Sequence, residues 1–122
     1  MKTCLVVDDS SVIRKVARRI LEDLGFMVSE AEDGDTALDA CADAFPDAIL
    51  LDWNMPRMDG ISFLEKIRSL PGGDAPKVVF CTTENDIGKI ARALRSGADE
   101  YIMKPFDREI VEAKLLQTGL LA

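Results

Sequence analysis

Five residues with chemistry to offer stand directly after short apolar runs. Asp8 and Asp9 follow Cys4–Val7, Asp52 follows Ala48–Leu51, Thr82 follows Val78–Cys81, and Lys104 follows Tyr101–Met103. Each alone has an ordinary explanation: an aspartate after a strand is often a turn former or helix cap, and a lone lysine is usually a solvated charge. Together they are harder to explain, because three clustered carboxylates repel unless a cation offsets them. Mg2+ suits such a set: it prefers oxygen ligands, is content with one or two carboxylates, and keeps waters that a phosphate can displace. One carboxylate then remains for reaction. Asp52 is central in the set, and a carboxylate can attack phosphorus to give an aspartyl phosphate. Thr82 can donate to a phosphoryl oxygen, and Lys104 can stabilise the charge that builds there. No GxxxxGK[ST] or GxGxxG occurs, so a phosphoryl group, not a bound nucleotide, is the expected substrate.

The elements between these runs must bring the five residues to one place. Ile13, Val16, Ala17, Ile20, Leu21 and Leu24 recur at helical spacing, with Ser10 or Ser11 as N-cap and Gly25 as the stop. Phe26–Ala31 reads as a second strand, less apolar than the others and therefore near a sheet edge. Asp33 can cap a second helix through Ala37, Leu38, Cys41 and Ala42. Asp59 can cap a third, carrying Phe63, Leu64, Ile67 and Leu70 and ended by Pro71. A fourth helix carries Ile87, Ile90, Ala91 and Leu94 on its apolar side, with Gly97 after it, and Asp107 can cap a fifth with Ile110, Val111 and Leu115. Five strands in strict alternation with five helices predict an α/β fold. The expected form is a doubly wound parallel sheet in the flavodoxin-like order 2-1-3-4-5, with helices on both faces. The active crevice of such a sheet lies beyond the C-terminal strand ends, where all five residues stand.

Composition narrows the function. The chain has 122 residues, enough for one domain, and a net charge of −7, which disfavours nucleic acid and anionic membranes as partners. Its longest apolar runs are four residues, against the roughly 20 that a membrane helix needs. Met1-Lys2-Thr3 leads straight into a strand, so a cytoplasmic protein is expected. There is no histidine, which excludes Ser-His-Asp and Cys-His catalysis. Cys4, Cys41 and Cys81 show no metal-ligand spacing and read as buried reduced thiols.

In order along the chain stand Val6-Val7-Asp8-Asp9-Ser10, Glu32-Asp33-Gly34, Asp52-Trp53-Asn54-Met55-Pro56, Met58-Asp59-Gly60, Thr82 and Lys104-Pro105-Phe106. This series resembles the receiver domain of bacterial two-component response regulators over essentially the whole chain, and the Asp52–Pro56 stretch is most similar to the single-domain chemotaxis members. The resemblance implies one receiver domain over residues 1–122 with no effector domain. It implies phosphorelay signalling in place of enzymatic turnover, with at most weak autodephosphorylation. Asp52 would be the phosphoacceptor. Asp9 would ligate Mg2+ directly, Asp8 mainly through water, and Asn54 through its backbone carbonyl. Thr82 and Lys104 would bind the phosphoryl oxygens, the Lys104–Pro105 bond would be cis, and Tyr101 would be an aromatic switch. The implied partners are a histidine kinase or histidine phosphotransfer protein and a downstream protein bound at the fourth helix, fifth strand and fifth helix.

One residue departs from the family's habit: Thr83 stands where a small residue is usual, and its bulk narrows access to the site. Asn54 and Glu84 are the polar side chains best placed to orient a hydrolytic water. Arg14, Lys15, Arg18 and Arg19 on the first helix read equally as a solvated face or as a docking surface for the phosphodonor. Lys89, Arg92 and Arg95 raise the same question on the fourth helix. The main alternative is a Mg2+-dependent aspartyl-phosphate phosphatase of haloacid-dehalogenase type. That chemistry needs an acid two residues after the nucleophile, where this chain has Asn54. A flavodoxin-like flavin carrier would need a Ser/Thr/Gly-rich turn where Asp8 and Asp9 stand.

Overall fold

Short runs of β-branched and aliphatic residues form the strands, and the stretches between them wind into helices started by side-chain caps. A computed structural model of the protein describes residues 1–55, 57–83 and 87–121. The elements are β1 (Thr3–Val7), α1 (Ser11–Asp23), β2 (Met27–Ala31), α2 (Gly34–Asp43), β3 (Ala48–Asp52), α3 (Gly60–Ser69), β4 (Lys77–Thr82), α4 (Ile87–Arg95), β5 (Glu100–Met103) and α5 (Arg108–Gln117). All strand pairs are parallel and the order is β2-β1-β3-β4-β5, as expected. The weakly apolar β2 lies at the edge.

Caps set the helix starts. Ser10 accepts from Ile13 N–H, Asp59 from Ser62 N–H and Asp107 from Ile110 N–H. Asp33 and Thr36 form a reciprocal capping box at α2. Past α1, Gly25 adopts φ 96°, a left-handed conformation that glycine takes without penalty.

Side chains alternate across each strand, so the sheet has two cores. Leu5, Val7, Ile49, Leu51, Val78 and Phe80 face α2, α3 and Ala93 of α4. Cys4, Val6, Leu50, Val79, Cys81 and Ile102 face α1 and α5. No helix among the described residues is long and apolar enough to cross a membrane.

Helix α4 departs from the expected apolar face. Its buried residue is Ala93, while Ile87 is 80% exposed and Leu94 is also exposed. The small Ala93 side chain sets the contact with the core, Ile90 and Ala91 are half-buried, and Ile87 and Leu94 stay in solvent. Helix α1 likewise buries Ala17 and Leu21 but leaves Val16 exposed.

Arg68, in the last turn of α3, joins two loops, α3–β4 and α4–β5. Its guanidinium donates to the carbonyls of Gly73, Pro76 and Gly97 and to Asp99 Oδ2, at 2.8–3.1 Å. Asp99 Oδ2 also accepts from Val78 N–H at 2.8 Å, which ties the clasp to the start of β4. Methionine at position 68 would keep most of the apolar stem but strand these acceptors. Arg68→Met is expected to cost about 2 kcal/mol in a denaturant titration, since hydrogen bonds to charged groups contribute about 1.5–3 kcal/mol each and water recovers part of that. An unchanged midpoint would show the clasp to be dispensable.

Candidate functional site

Strands β3 and β4 end one residue later than their apolar runs suggest. Asp52 is the last residue of β3 and Thr82 the last of β4, so both are held by the sheet and not by the loops beyond it. Asp52 is paired with Cys81 and Thr82 with Met103, and Lys104 N–H donates to the Thr82 carbonyl at 2.8 Å. Lys104 is thereby fixed next to β4, and the Lys104–Pro105 bond is cis.

Lys104 Nζ lies 2.6 Å from Asp8 Oδ2 and 3.0 Å from Asp52 Oδ1, with all three side chains largely buried. Asp8 is held from several sides. Its N–H donates to the Ala31 carbonyl, its Oδ1 accepts from Ser10 N–H at 2.9 Å, and its carbonyl accepts from Arg14 Nη1 at 2.5 Å. Asp9 is exposed at the rim. Asp8, Asp9 and Asp52 can each offer an oxygen within 4.8 Å of the others'.

The electrostatics follow from burial and charge. Burial first, and then the neighbouring Asp8 carboxylate, push the Asp52 carboxyl above the usual range, against the pull of Lys104. Burial alone would lower Lys104, but its hydrogen bonds to Asp8 and Asp52 outweigh it and hold the ammonium above its ordinary value. One ammonium therefore faces three carboxylates, and an added cation is favoured. The donor set fits Mg2+: hard oxygens from two strand ends, one of them at an open rim.

Of the other expected residues, Asn54 is exposed, two residues past Asp52 on the loop into α3. That loop is closed at its base by a hydrogen bond from Gly60 N–H to the Trp53 carbonyl, 2.9 Å. Thr82 is buried and Thr83 exposed. Tyr101 is half-buried against the α2/α3 core. Glu100 Oε1 accepts from Tyr101 N–H at 3.0 Å and lies 3.2 Å from Lys114 Nζ, which itself sits 4.6 Å above the Tyr101 ring. Pro56 and Glu84 lie outside the described residues.

The basic residues divide in a way their spacing did not reveal. Arg14 and Arg18 both pair with Glu30 of β2, at 3.0 and 2.6 Å, and hold its carboxyl below the usual range. These two are part of the fold's own ion-pair network. On α4, Lys89 Nζ and the Arg92 guanidinium lie 5.2 and 5.9 Å from the Trp53 ring, which packs edge-on against Phe80. The residue after Asp52 is thus in cation–π contact with α4.

A parallel 2-1-3-4-5 sheet with an acid cluster and a lysine at its C-terminal rim defines a receiver, and the chain belongs to the response regulator receiver domain family, whose sequence profile matches residues 4–116. Chemotaxis protein CheY1 of Helicobacter pylori is 39% identical over 115 residues, covering 91% of each chain. Response regulator MprA of a Mycobacterium species is 40% identical over 111 residues, 91% of this chain and 47% of that protein. The structure of chemotaxis response regulator CheY4 of Vibrio cholerae superposes with a TM-score of 0.91 at 33% identity, covering 97% of this chain and 98% of that one.

Proposed function

We propose that Asp52 accepts a phosphoryl group from a phosphohistidine of a histidine kinase or histidine phosphotransfer protein. The observation that carries this reading is the buried Asp52 carboxylate, at a strand end beside Lys104 and two further acids. An Asp52 oxygen attacks phosphorus, the P–N bond breaks, and its electron pair leaves with the imidazole nitrogen. Lys104, already 3.0 Å from Asp52 Oδ1, is placed to follow the charge onto a phosphoryl oxygen. Asp9, Asp52 and the Asn54 carbonyl would hold Mg2+, which supplies further positive charge against the phosphoryl group. Asp8, whose oxygens accept from Ser10 N–H and Lys104, would act on the metal through water. The reading keeps the cytoplasmic location expected from the sequence. Incubation with a phosphorylated phosphotransfer protein should add one phosphoryl group to this chain with Mg2+ and none with EDTA. Label that is indifferent to EDTA would remove the metal from the reading, and no label from any phosphorylated donor would remove the phosphoacceptor.

The output reading uses Thr82 and Tyr101. A phosphoryl group on Asp52 offers an acceptor to the Thr82 hydroxyl, and movement of Thr82 toward it makes room for the Tyr101 ring. A ligand can shift such an equilibrium only by its differential interaction with the two states. Moving a 1:99 population to 99:1 needs about 5.5 kcal/mol, and one charge-assisted hydrogen bond supplies about 1.5–3 kcal/mol, so a partial switch is expected unless Lys104 contributes. The downstream protein would read this change on the α4–β5–α5 face. Beryllofluoride should shift the backbone NMR signals from Ala91 to Tyr101 in wild type, and less in Thr82→Ala. Shifts confined to the loops around Asp9, Asp52 and Lys104 in both proteins would refute the coupling.

A further inference from the structure

The loop between β3 and α3, which carries Asn54, is fastened to the start of α2 at two adjacent points. Arg57 Nη2 lies 3.1 Å from Asp33 Oδ2. Beside it, the Met58 side chain lies so close to Gly34 that a Cβ there would stand 2.8 Å from Met58 Cβ and Cγ. The two partners of the ion pair sit differently. The Arg57 side chain is 70% exposed, whereas that of Asp33 is 1% exposed and held from its other oxygen by Thr36 N–H at 2.8 Å and Thr36 Oγ1 at 2.9 Å. Arg57 also has φ 67°, in the left-handed region that a long side chain rarely adopts, and it is the non-glycine residue with positive φ among the described residues. A fixed, oriented carboxylate on α2 therefore receives a residue whose backbone sits in an unfavoured conformation. At the loop's base, Gly60 N–H closes onto Trp53 O. Asn54 lies between these two fastenings.

We infer that Arg57 and Asp33 are positioning residues that latch the β3–α3 loop onto α2, so that the Asn54 backbone carbonyl is presented toward Asp9 and Asp52 for Mg2+. This inference rests on the reading of that carbonyl as a metal ligand. Neither side chain touches the metal; the pair acts by limiting where the loop can go. Loss of such outer support typically costs a metal site 10–100-fold in affinity, and an exposed arginine places the expected effect at the low end, about 10-fold.

The test is Mg2+ titration followed by Trp53 fluorescence, with thermal unfolding of each variant in parallel. Arg57→Asn removes the guanidinium and tolerates left-handed φ. Asp33→Asn keeps a good N-cap and removes the charge. Each should weaken Mg2+ binding about 10-fold, the double variant should be no weaker than either single one, and Arg57→Lys should recover most of the affinity. Arg68→Met, which destabilises the fold away from Arg57 and Asp33, should bind Mg2+ as wild type does. Variants that unfold earlier yet keep wild-type Mg2+ affinity would overturn the latch, as would fully additive effects or an Arg68→Met variant that binds Mg2+ as weakly as Arg57→Asn. Wild type that binds no Mg2+ would overturn the metal site itself, a result distinct from a latch failure because it appears before any variant is made.

Discussion

Asp52→Asn is expected to lose phosphoryl uptake entirely and, in Mg2+-free buffer at neutral pH, to unfold at a higher temperature than wild type. The first effect follows from chemistry, because an amide oxygen lacks the anionic nucleophile that attacks phosphorus. The second follows from electrostatics. Burial and the Asp8 charge raise the Asp52 carboxyl, so its charged form is penalised in the folded protein. That penalty is present in full above the folded-state pKa of Asp52 and is relieved as pH falls through it. The stability gained from asparagine should therefore be larger at neutral pH and shrink in acid. Lys104 keeps Asp8 as a partner at 2.6 Å in the variant, so no buried ammonium is left unpaired. Mg2+ should narrow the difference by stabilising wild type more. Mass spectrometry of the phosphorylation reaction and unfolding curves at several pH values check both halves. Label on the variant, or a lower melting temperature at pH 7 without Mg2+, would contradict them.

Gly60→Ala should be the most damaging one-methyl change near the site. A Cβ on Gly60 would stand 2.2 Å from the Asp52 carbonyl oxygen and 3.2 Å from Trp53 Cα. The obstacle is backbone at the end of β3, and it cannot rotate away as a side chain would. Alanine favours a helix over glycine by about 1 kcal/mol at most, while overpacking costs about 1–3 kcal/mol and more when backbone must move. The clash prevails, and a net loss of about 3 kcal/mol is expected, a fall of about 10 °C in Tm for a chain of this size. Because the displaced peptide belongs to Asp52, Mg2+ affinity should fall by about 10-fold as well. Wild-type melting and wild-type Mg2+ binding in Gly60→Ala would show that the loop yields at little cost.

The parts of the fold that sequence displays are those set by local chemistry. Asp33, Asp59 and Asp107 cap the helices they precede because the N-cap bond closes within three residues. The four-residue apolar runs are strands because both faces of the sheet are covered. The edge position of β2 shows in its Ser29 and Glu30. Helix α4 was less legible. Its period is helical, but periodicity gives a face and not its destination, and the contact is made by Ala93 while Ile87 points to solvent. In the candidate site, the strand-end residues and their convergence follow from topology. Their supports do not. Arg14 to the Asp8 carbonyl, Arg57 to Asp33 and Lys89 to Trp53 join residues whose meeting depends on loop paths and rotamers, which no spacing rule encodes.

The three cysteines all lie inside the protein. Burial pushes the Cys4 thiol up to about 12 and raises Cys41 and Cys81 also. Alkylating reagents attack the thiolate, so the folded chain is chemically silent toward them. Wild type should take up no maleimide under native conditions and three equivalents once unfolded. A cysteine introduced at the exposed Ile87 position would then carry a fluorophore or spin label alone, and the motion of α4 could be followed without first removing any native residue.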